Sequence, residues 1–238
     1  QTGGWHGGQP DRAQTARTLV RSSSAPPARL TGYQRLAAGD SVVLIDVGPP
    51  PLTRHNPDAH ASTLAFTLSD GARPLITACG TGHGSDGVRH LSPELLAGLR
   101  STAGHSALVL ANTNSSRLGA GSRRGGVEEV VAEYRHSIQG HWLEARHDGW
   151  RRRFGYDHLR RLWLSPDGAD LRGEDRLLPA RGGAGQKRAP LPVALRFHLA
   201  PGAEATITQD GKGVLMLLAA GHRQPAIAWG FRASFNHA

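Results

Sequence analysis

An all-β protein, folded as an antiparallel β-sandwich, is what this sequence predicts. Roughly ten short segments carry strand-like apolar patterning, and Gly, Asp and Pro turn signals separate them at regular spacing. The 31 glycines and 15 prolines make up about a fifth of the 238 residues, which favours turns and loops over long helices.

The elements follow in order. Gly3, Gly4, Gly7 and Gly8 open the chain, Asp11 to Val20 suits one short helix, and Arg21-Ser-Ser-Ser-Ala-Pro-Pro27 reads as a linker. Residues 1–31 are therefore expected to lie outside the sandwich, as the tail of something upstream, with the sandwich itself over 32–238. Ser41-Val-Val-Leu-Ile-Asp46 is a buried-strand run closed by Gly48-Pro-Pro-Pro51. Leu64, Phe66 and Leu68 recur at period two, Ser69-Asp-Gly71 is a tight turn, and Arg73 to Ala78 returns as the partner strand. One helix is expected over Ser92 to Leu99, with Ser92 as N-cap, Pro93 at the first helical position and Glu94 in the first turn. Further strands are expected at Ala107–Ala111, Trp142–Arg146, His158–Leu164, Asp170–Arg176, Val193–Leu199, Ala205–Gln209 and Val214–Leu218. Ser165-Pro-Asp-Gly168 and Gln209-Asp-Gly211 are hairpin turns by composition. Gly119 to Gly126 and Ala180 to Pro190 read as Gly/Arg-rich loops, and Ala219 to Ala238 as an atypical, poorly ordered tail.

Composition narrows the function. No apolar run approaches the ~18 residues a membrane-spanning helix needs. Cys79 is the only cysteine, so an internal disulfide and any zinc site built on two or more cysteines are excluded. Net charge is +9, carried by 26 Arg against 2 Lys. Such a balance attracts polyanions, either nucleic acid or acidic polysaccharide. Arg, Ala, Gly and Pro also rise together under a codon bias, so charge alone does not choose between them.

Chemistry-bearing motifs are few. Gly80-Thr-Gly-His-Gly84 lacks the helix and Lys-Ser/Thr of a phosphate loop, and no G-x-S-x-G elbow occurs. Arg151-Arg-Arg-Phe154 and Arg160-Arg-Leu-Trp163 interleave base and aromatic, as a nucleic-acid or glycan surface does. The simpler reading is a solvated strand face with Phe154 and Trp163 in the core. Of 13 histidines, His60, His105 and His198 sit at the ends of expected strands, where a β scaffold builds metal or catalytic sites.

Taken in order, several strings resemble the C-terminal domain of the heparinase II/III-like family. They are Gly32-Tyr-Gln-Arg-Leu36, Val42-Val-Leu-Ile-Asp-Val-Gly-Pro-Pro-Pro51, Ala59-His-Ala-Ser-Thr-Leu-Ala-Phe-Thr-Leu68 and Leu75-Ile-Thr-Ala-Cys-Gly80. Thr102-Ala-Gly-His-Ser-Ala-Leu-Val-Leu-Ala-Asn-Thr-Asn114, Glu144-Ala-Arg-His-Asp-Gly-Trp150, His158-Leu-Arg-Arg-Leu162 and Leu195-Arg-Phe-His-Leu-Ala-Pro201 follow.

The resemblance implies an antiparallel sandwich packed against an upstream helical toroid, of which residues 1–31 would be the end and linker. It implies a periplasmic or cell-envelope polysaccharide lyase acting by β-elimination on an acidic, uronate-containing polysaccharide. A base takes the proton next to the carboxylate, donors or cations stabilise the charge, and the glycosidic oxygen leaves. The groups used as base lie mostly upstream. For a divalent metal, zinc or calcium, His60 and His105 match two ligand positions, while Ala78 stands at the third, an aspartate in the family. Asp58 and Cys79 are the possible stand-ins. Arg54 and His198 are the expected substrate-binding residues. The alternatives are a non-catalytic acidic-glycan-binding sandwich and a basic nucleic-acid-binding protein. The second has no recognisable nucleic-acid motif behind it.

Overall fold

The computed structural model describes residues 2–8, 32–51, 58–80, 91–118, 126–180, 190–220 and 226–236. Its first strands are β1 (Thr2–Gly8), β2 (Tyr33–Ala38), β3 (Ser41–Asp46), β4 (Phe66–Asp70) and β5 (Arg73–Thr77). Helix α1 (Pro93–Arg100) and a 3₁₀ turn at Thr102–Gly104 lead into β6 (Leu108–Leu110). Strands β7 (Val130–Ser137) and β8 (Gly140–Trp150), the single turn α2 (Arg151–Phe154), β9 (Tyr156–Leu164) and β10 (Asp170–Pro179) follow. The chain ends through β11 (Val193–Leu195), β12 (His198–Leu199), β13 (Ala203–Ile207), β14 (Gly213–Leu218) and β15 (Ile227–Asn236).

Two antiparallel sheets form the sandwich. One runs β13-β14-β15-β1-β10-β9-β8-β7, the other β12-β5-β4-β3-β2, and β11 with β6 makes a small third sheet. Period-two alternation decides which residues face inward. In β3, Ser41, Val43 and Ile45 are buried while Leu44 is exposed; in β8, Leu143 and Ala145 are buried while Trp142 and Glu144 are not. Leu36, Val43, Ile45, Phe66, Leu68 and Ile76 of one sheet meet Leu143, Leu162, Leu164, Leu171 and Trp229 of the other in one core. A smaller cluster of Leu108, Leu110, Trp150 and Leu177 lies by the third sheet.

The sheets also meet backbone to backbone at their turns. A Cβ added at Gly39 would lie 2.2 Å from the Asp167 carbonyl oxygen, and one at Gly168 would lie 1.9 Å from that of Ala38. Both glycines have positive φ, so their conformation and the close approach each require glycine.

The strands β3, β5 and β14 and the helix α1 fall within a residue of the sequence expectation. Ser92 caps α1, accepting from the Leu95 N–H at 3.3 Å. Other expectations need correction. Thr2–Gly8, where no strand is expected, is a central strand paired with both β10 and β15. The short helix expected over 11–20 lies outside the described residues. Ile227–Asn236 pairs with β14 and β1, so the expected atypical tail is instead a sheet strand. Its Ile227 and Trp229 reach the core at period two. The strand expected at 193–199 is broken in two, β11 going to β6 and β12 to β5. Trp163 is not in the core. It is half-buried on the outer face of β9, while Phe154 packs at the edge of the smaller cluster.

Candidate functional site

The loops that join β3 to β4 and α1 to β6 meet at one end of the sandwich. Helix α1 buries none of its residues, but it ends in Arg100. The Arg100 guanidinium donates to the Ala59 carbonyl through Nε and Nη2, both at 3.1 Å, while the Arg100 carbonyl accepts from the Ala61 N–H at 2.9 Å. His60 is held from both sides by one residue. Asp46 adds a second hold, accepting from the Ser62 hydroxyl at 2.7 Å and the Gly48 N–H at 3.1 Å. Burial raises the Asp46 carboxyl above its ordinary value, and those two hydrogen bonds oppose the rise only in part.

His105 leaves the 3₁₀ turn whose Thr102 hydroxyl bonds Ser115 and whose Thr102 N–H donates to the Asn114 side chain at 3.0 Å. The two imidazoles meet, His60 Nδ1 lying 3.0 Å from His105 Nε2 with the rings edge to face. His105 is 7% exposed. Burial, with His60 and His198 nearby, pushes its pKa down to about 4, so the ring is neutral at pH 7.

A second pair stands beside it. His198 Nε2 lies 2.8 Å from the Ala103 carbonyl oxygen, which can only accept, so Nε2 carries the proton. Nδ1 is then the acceptor for the Cys79 thiol at 3.3 Å. Cys79 is fixed by its N–H to the Gly104 carbonyl at 2.9 Å. His198 is fixed by its N–H to the Ser106 hydroxyl, itself donating to the Thr77 carbonyl at 2.7 Å.

Beneath both pairs runs a buried polar chain that sequence reasoning missed. Arg160, fully buried, donates Nε and Nη2 to Asp175 at 2.8 and 3.0 Å. Its Nη1 donates to the Leu64 carbonyl at 2.6 Å and the Ser106 carbonyl at 3.0 Å. One guanidinium therefore ties the eight-stranded sheet to the loop after His60 and to the residue after His105. Leu64 sits at φ 63°, a left-handed conformation that costs on the order of 1–2 kcal/mol, and its carbonyl is the one Arg160 holds. The chain continues in one direction. The Gly149 N–H donates to His147 Nδ1 at 3.0 Å, so His147 Nε2 is the protonated nitrogen and donates to His158 Nδ1 at 3.2 Å. His158 Nε2–H then donates to Asp175 at 2.6 Å. Burial alone would raise the Asp175 carboxyl, but Arg160 and His158 outweigh it and hold it well below the usual carboxylate range. Burial keeps both histidines below their ordinary value. A signal for this network exists in the sequence. Arg160 occupies an inward position in phase with Leu162 and Leu164, directly opposite Asp175 in the register.

Of the sequence-expected residues, His60, His105, His198 and Cys79 thus gather at one end. Asp58 is exposed, and Arg54 lies outside the described residues. For the expected metal ligands, the nitrogens of His60 and His105 that face each other stand 3.0 Å apart. His60 and His105 bond each other, Cys79 turns to His198, Ala78 offers no donor, and no group of three suitable side chains is found among the described residues. Zinc takes three protein ligands in a catalytic site and four in a structural one.

Comparison with known proteins agrees with this arrangement of strands. The chain is 34% identical over 222 residues to FtsZ-localized protein C of Caulobacter vibrioides, matching 89% of this chain and 38% of that protein. It therefore spans less than two fifths of that relative. A solved heparinase III superposes with a TM-score of 0.56 at 12% identity, covering 85% of this chain and 34% of that one, and shares the fold. The model of the "Heparinase II/III-like, C-terminal" family matches residues 20–237. The chain belongs to the heparinase II/III-like family, as a representative of its C-terminal domain.

Proposed function

We propose that this chain is the β-sandwich part of a polysaccharide lyase of the periplasm or cell envelope, contributing to β-elimination on an acidic, uronate-containing polysaccharide such as a glycosaminoglycan. The observation that carries the reading is the His60–His105 pair, with His198 and Cys79 beside it, held rigidly by Arg100 and Arg160. A general base works best with a pKa near the operating pH, and His105, at about 4, is far from it. Its task is to stay neutral and to orient or hydrogen-bond a substrate group, while proton abstraction falls to residues outside this domain. No step is routed through a metal.

The test is an absorbance assay for unsaturated uronate on the full-length parent with a panel of acidic polysaccharides. Turnover that falls at least tenfold in His105→Ala supports the reading. A parent that turns over none of them overturns it.

A second reading has its own support. Ala78 replaces the carboxylate of the family's metal site, and the relative at 34% identity is named as FtsZ-localized. These favour a non-catalytic, acidic-glycan-binding module in a protein that localises with FtsZ. A fluorescent fusion of the full-length parent that follows FtsZ, together with retained glycan binding and no turnover, selects this reading.

A further inference from the structure

The outer face of the eight-stranded sheet carries an aromatic ridge that the His60–His105 site does not use. Two neighbouring cross-strand rows build it. Arg135, Trp142, Trp163 and Arg172 lie opposite one another on β7, β8, β9 and β10, and Glu133, Glu144, Arg161 and Glu174 form the next row. Trp142 is 48% exposed and presents its ring on the solvent side of the sheet. Trp163 is pinned by its indole N–H to the Gln139 carbonyl at 2.9 Å, and the Arg172 guanidinium lies over its ring at 4.9 Å. The two ring centres are 5.9 Å apart.

A hollow lies on either side of the ridge. One of about 350 Å³ and one of about 480 Å³ share Trp142, Gln139 and Arg161 as their common wall. Both fall in the size range of small-molecule sites, about 300–1,000 Å³. The charge of the walls then decides the class of ligand. The two hollows together present three arginines and three glutamates, and each arginine already has a carboxylate partner: Arg135 with Glu133, Arg161 with Glu144 and Glu174, Arg172 with Asp170. On a chain of net charge +9 this patch is electrically balanced. It has no uncompensated cation to offer a sulfate, phosphate or uronate. It offers instead fixed donors and acceptors side by side, around an aromatic face.

We infer that this ridge binds a neutral oligosaccharide, with sugar rings seated in the two hollows and stacked against Trp142. The C–H-rich face of a pyranose is apolar and faintly positive, which suits the negative face of an indole. Its hydroxyls each donate and accept, which suits paired guanidinium and carboxylate groups that can do one or the other. The ligand differs from the acidic polymer proposed for the His60–His105 site, and the inference does not depend on that proposal.

The experiment titrates the chain with neutral hexasaccharides of glucose, N-acetylglucosamine, xylose and mannose, and with a galacturonate hexasaccharide, by isothermal calorimetry and tryptophan fluorescence. The expected result is binding of at least one neutral hexasaccharide with Kd below 1 mM, unchanged between 0.05 and 0.5 M salt. Trp142→Ala should weaken it at least tenfold, with Trp142→Phe in between and the melting temperature of both variants unaltered. Absence of binding by every neutral probe overturns the inference. So does binding that Trp142→Ala leaves intact, or a preference for the galacturonate probe that salt abolishes. A concentration-dependent dimer that Trp142→Ala abolishes would assign the ridge to a second copy of the chain and overturn it as well.

Discussion

Replacing Asp175 by Asn tests the buried network most directly. The substitution is nearly isosteric and changes one charge. Asp175 is 4% exposed and neutralises Arg160, which is fully buried. Once the carboxylate is gone, the guanidinium loses the counter-charge that takes its Nε and Nη2 donors, while Nη1 keeps the neutral Leu64 and Ser106 carbonyls. Removing one partner of such a pair costs about 3–5 kcal/mol. A domain of this size has on the order of 5–15 kcal/mol of stability, so the loss would take about a fifth of it or more. Urea denaturation should show a midpoint lowered in proportion, at unchanged m. Asp175→Asn combined with Arg160→Met removes both charges and should recover part of the loss. It should not recover all of it, since two buried carbonyls then lose their donor at about 1–3 kcal/mol each. The double variant should also release the loops that hold His60 and His105, seen as broadened imidazole resonances. A loss below about 1 kcal/mol in the single variant would refute a dry, charge-paired network.

Three further outcomes follow from the geometry. His147 and His158 are held below their ordinary pKa and Asp175 below its own, so the unfolded chain takes up protons that the folded chain refuses. Stability is then complete near neutral pH and falls as pH drops, first below about 6.5 from the histidines and further below about 4 from Asp175; urea midpoints from pH 8 to 4 check the sign. Gly168→Ala forces a Cβ to 1.9 Å from the Ala38 carbonyl at positive φ, and should cost about 1–3 kcal/mol in the same assay. Arg100→Leu leaves the buried Ala59 carbonyl without its double donor and should cost about 1.5–3 kcal/mol, with the His60 resonances broadening while those of Trp229 stay sharp.

Much of the sandwich was legible because its strands alternate. Val43 and Ile45, Phe66 and Leu68, Leu162 and Leu164 each announce an inward face. Strand β7 was not, since it is an edge strand with nothing fully buried and so no apolar period to read. Strand β1 was hidden by its glycines, which signal turns by composition. The Ile227, Trp229 and Phe231 alternation in β15 was legible but lay in a stretch set aside as a tail. The meeting of His60 and His105 was legible only through the family's pattern, because 45 residues separate them and only folding joins them. Arg160 reads in sequence as one of many arginines. Its role depends on Asp175, Leu64 and Ser106, which lie 15, 96 and 54 residues away.

The position of β1 has a consequence for how the domain holds together. The order β15-β1-β10 makes this one strand the keystone of the eight-stranded sheet: three strands stand on one side of it, four on the other. Four of its seven residues are glycine, and a main-chain ladder attaches it on each side. Withdrawing it would leave β10 and β15 as two facing raw edges, each a template for a strand from elsewhere. Seven residues of extended backbone, laddered on both sides, therefore decide whether the sheet is one piece or two.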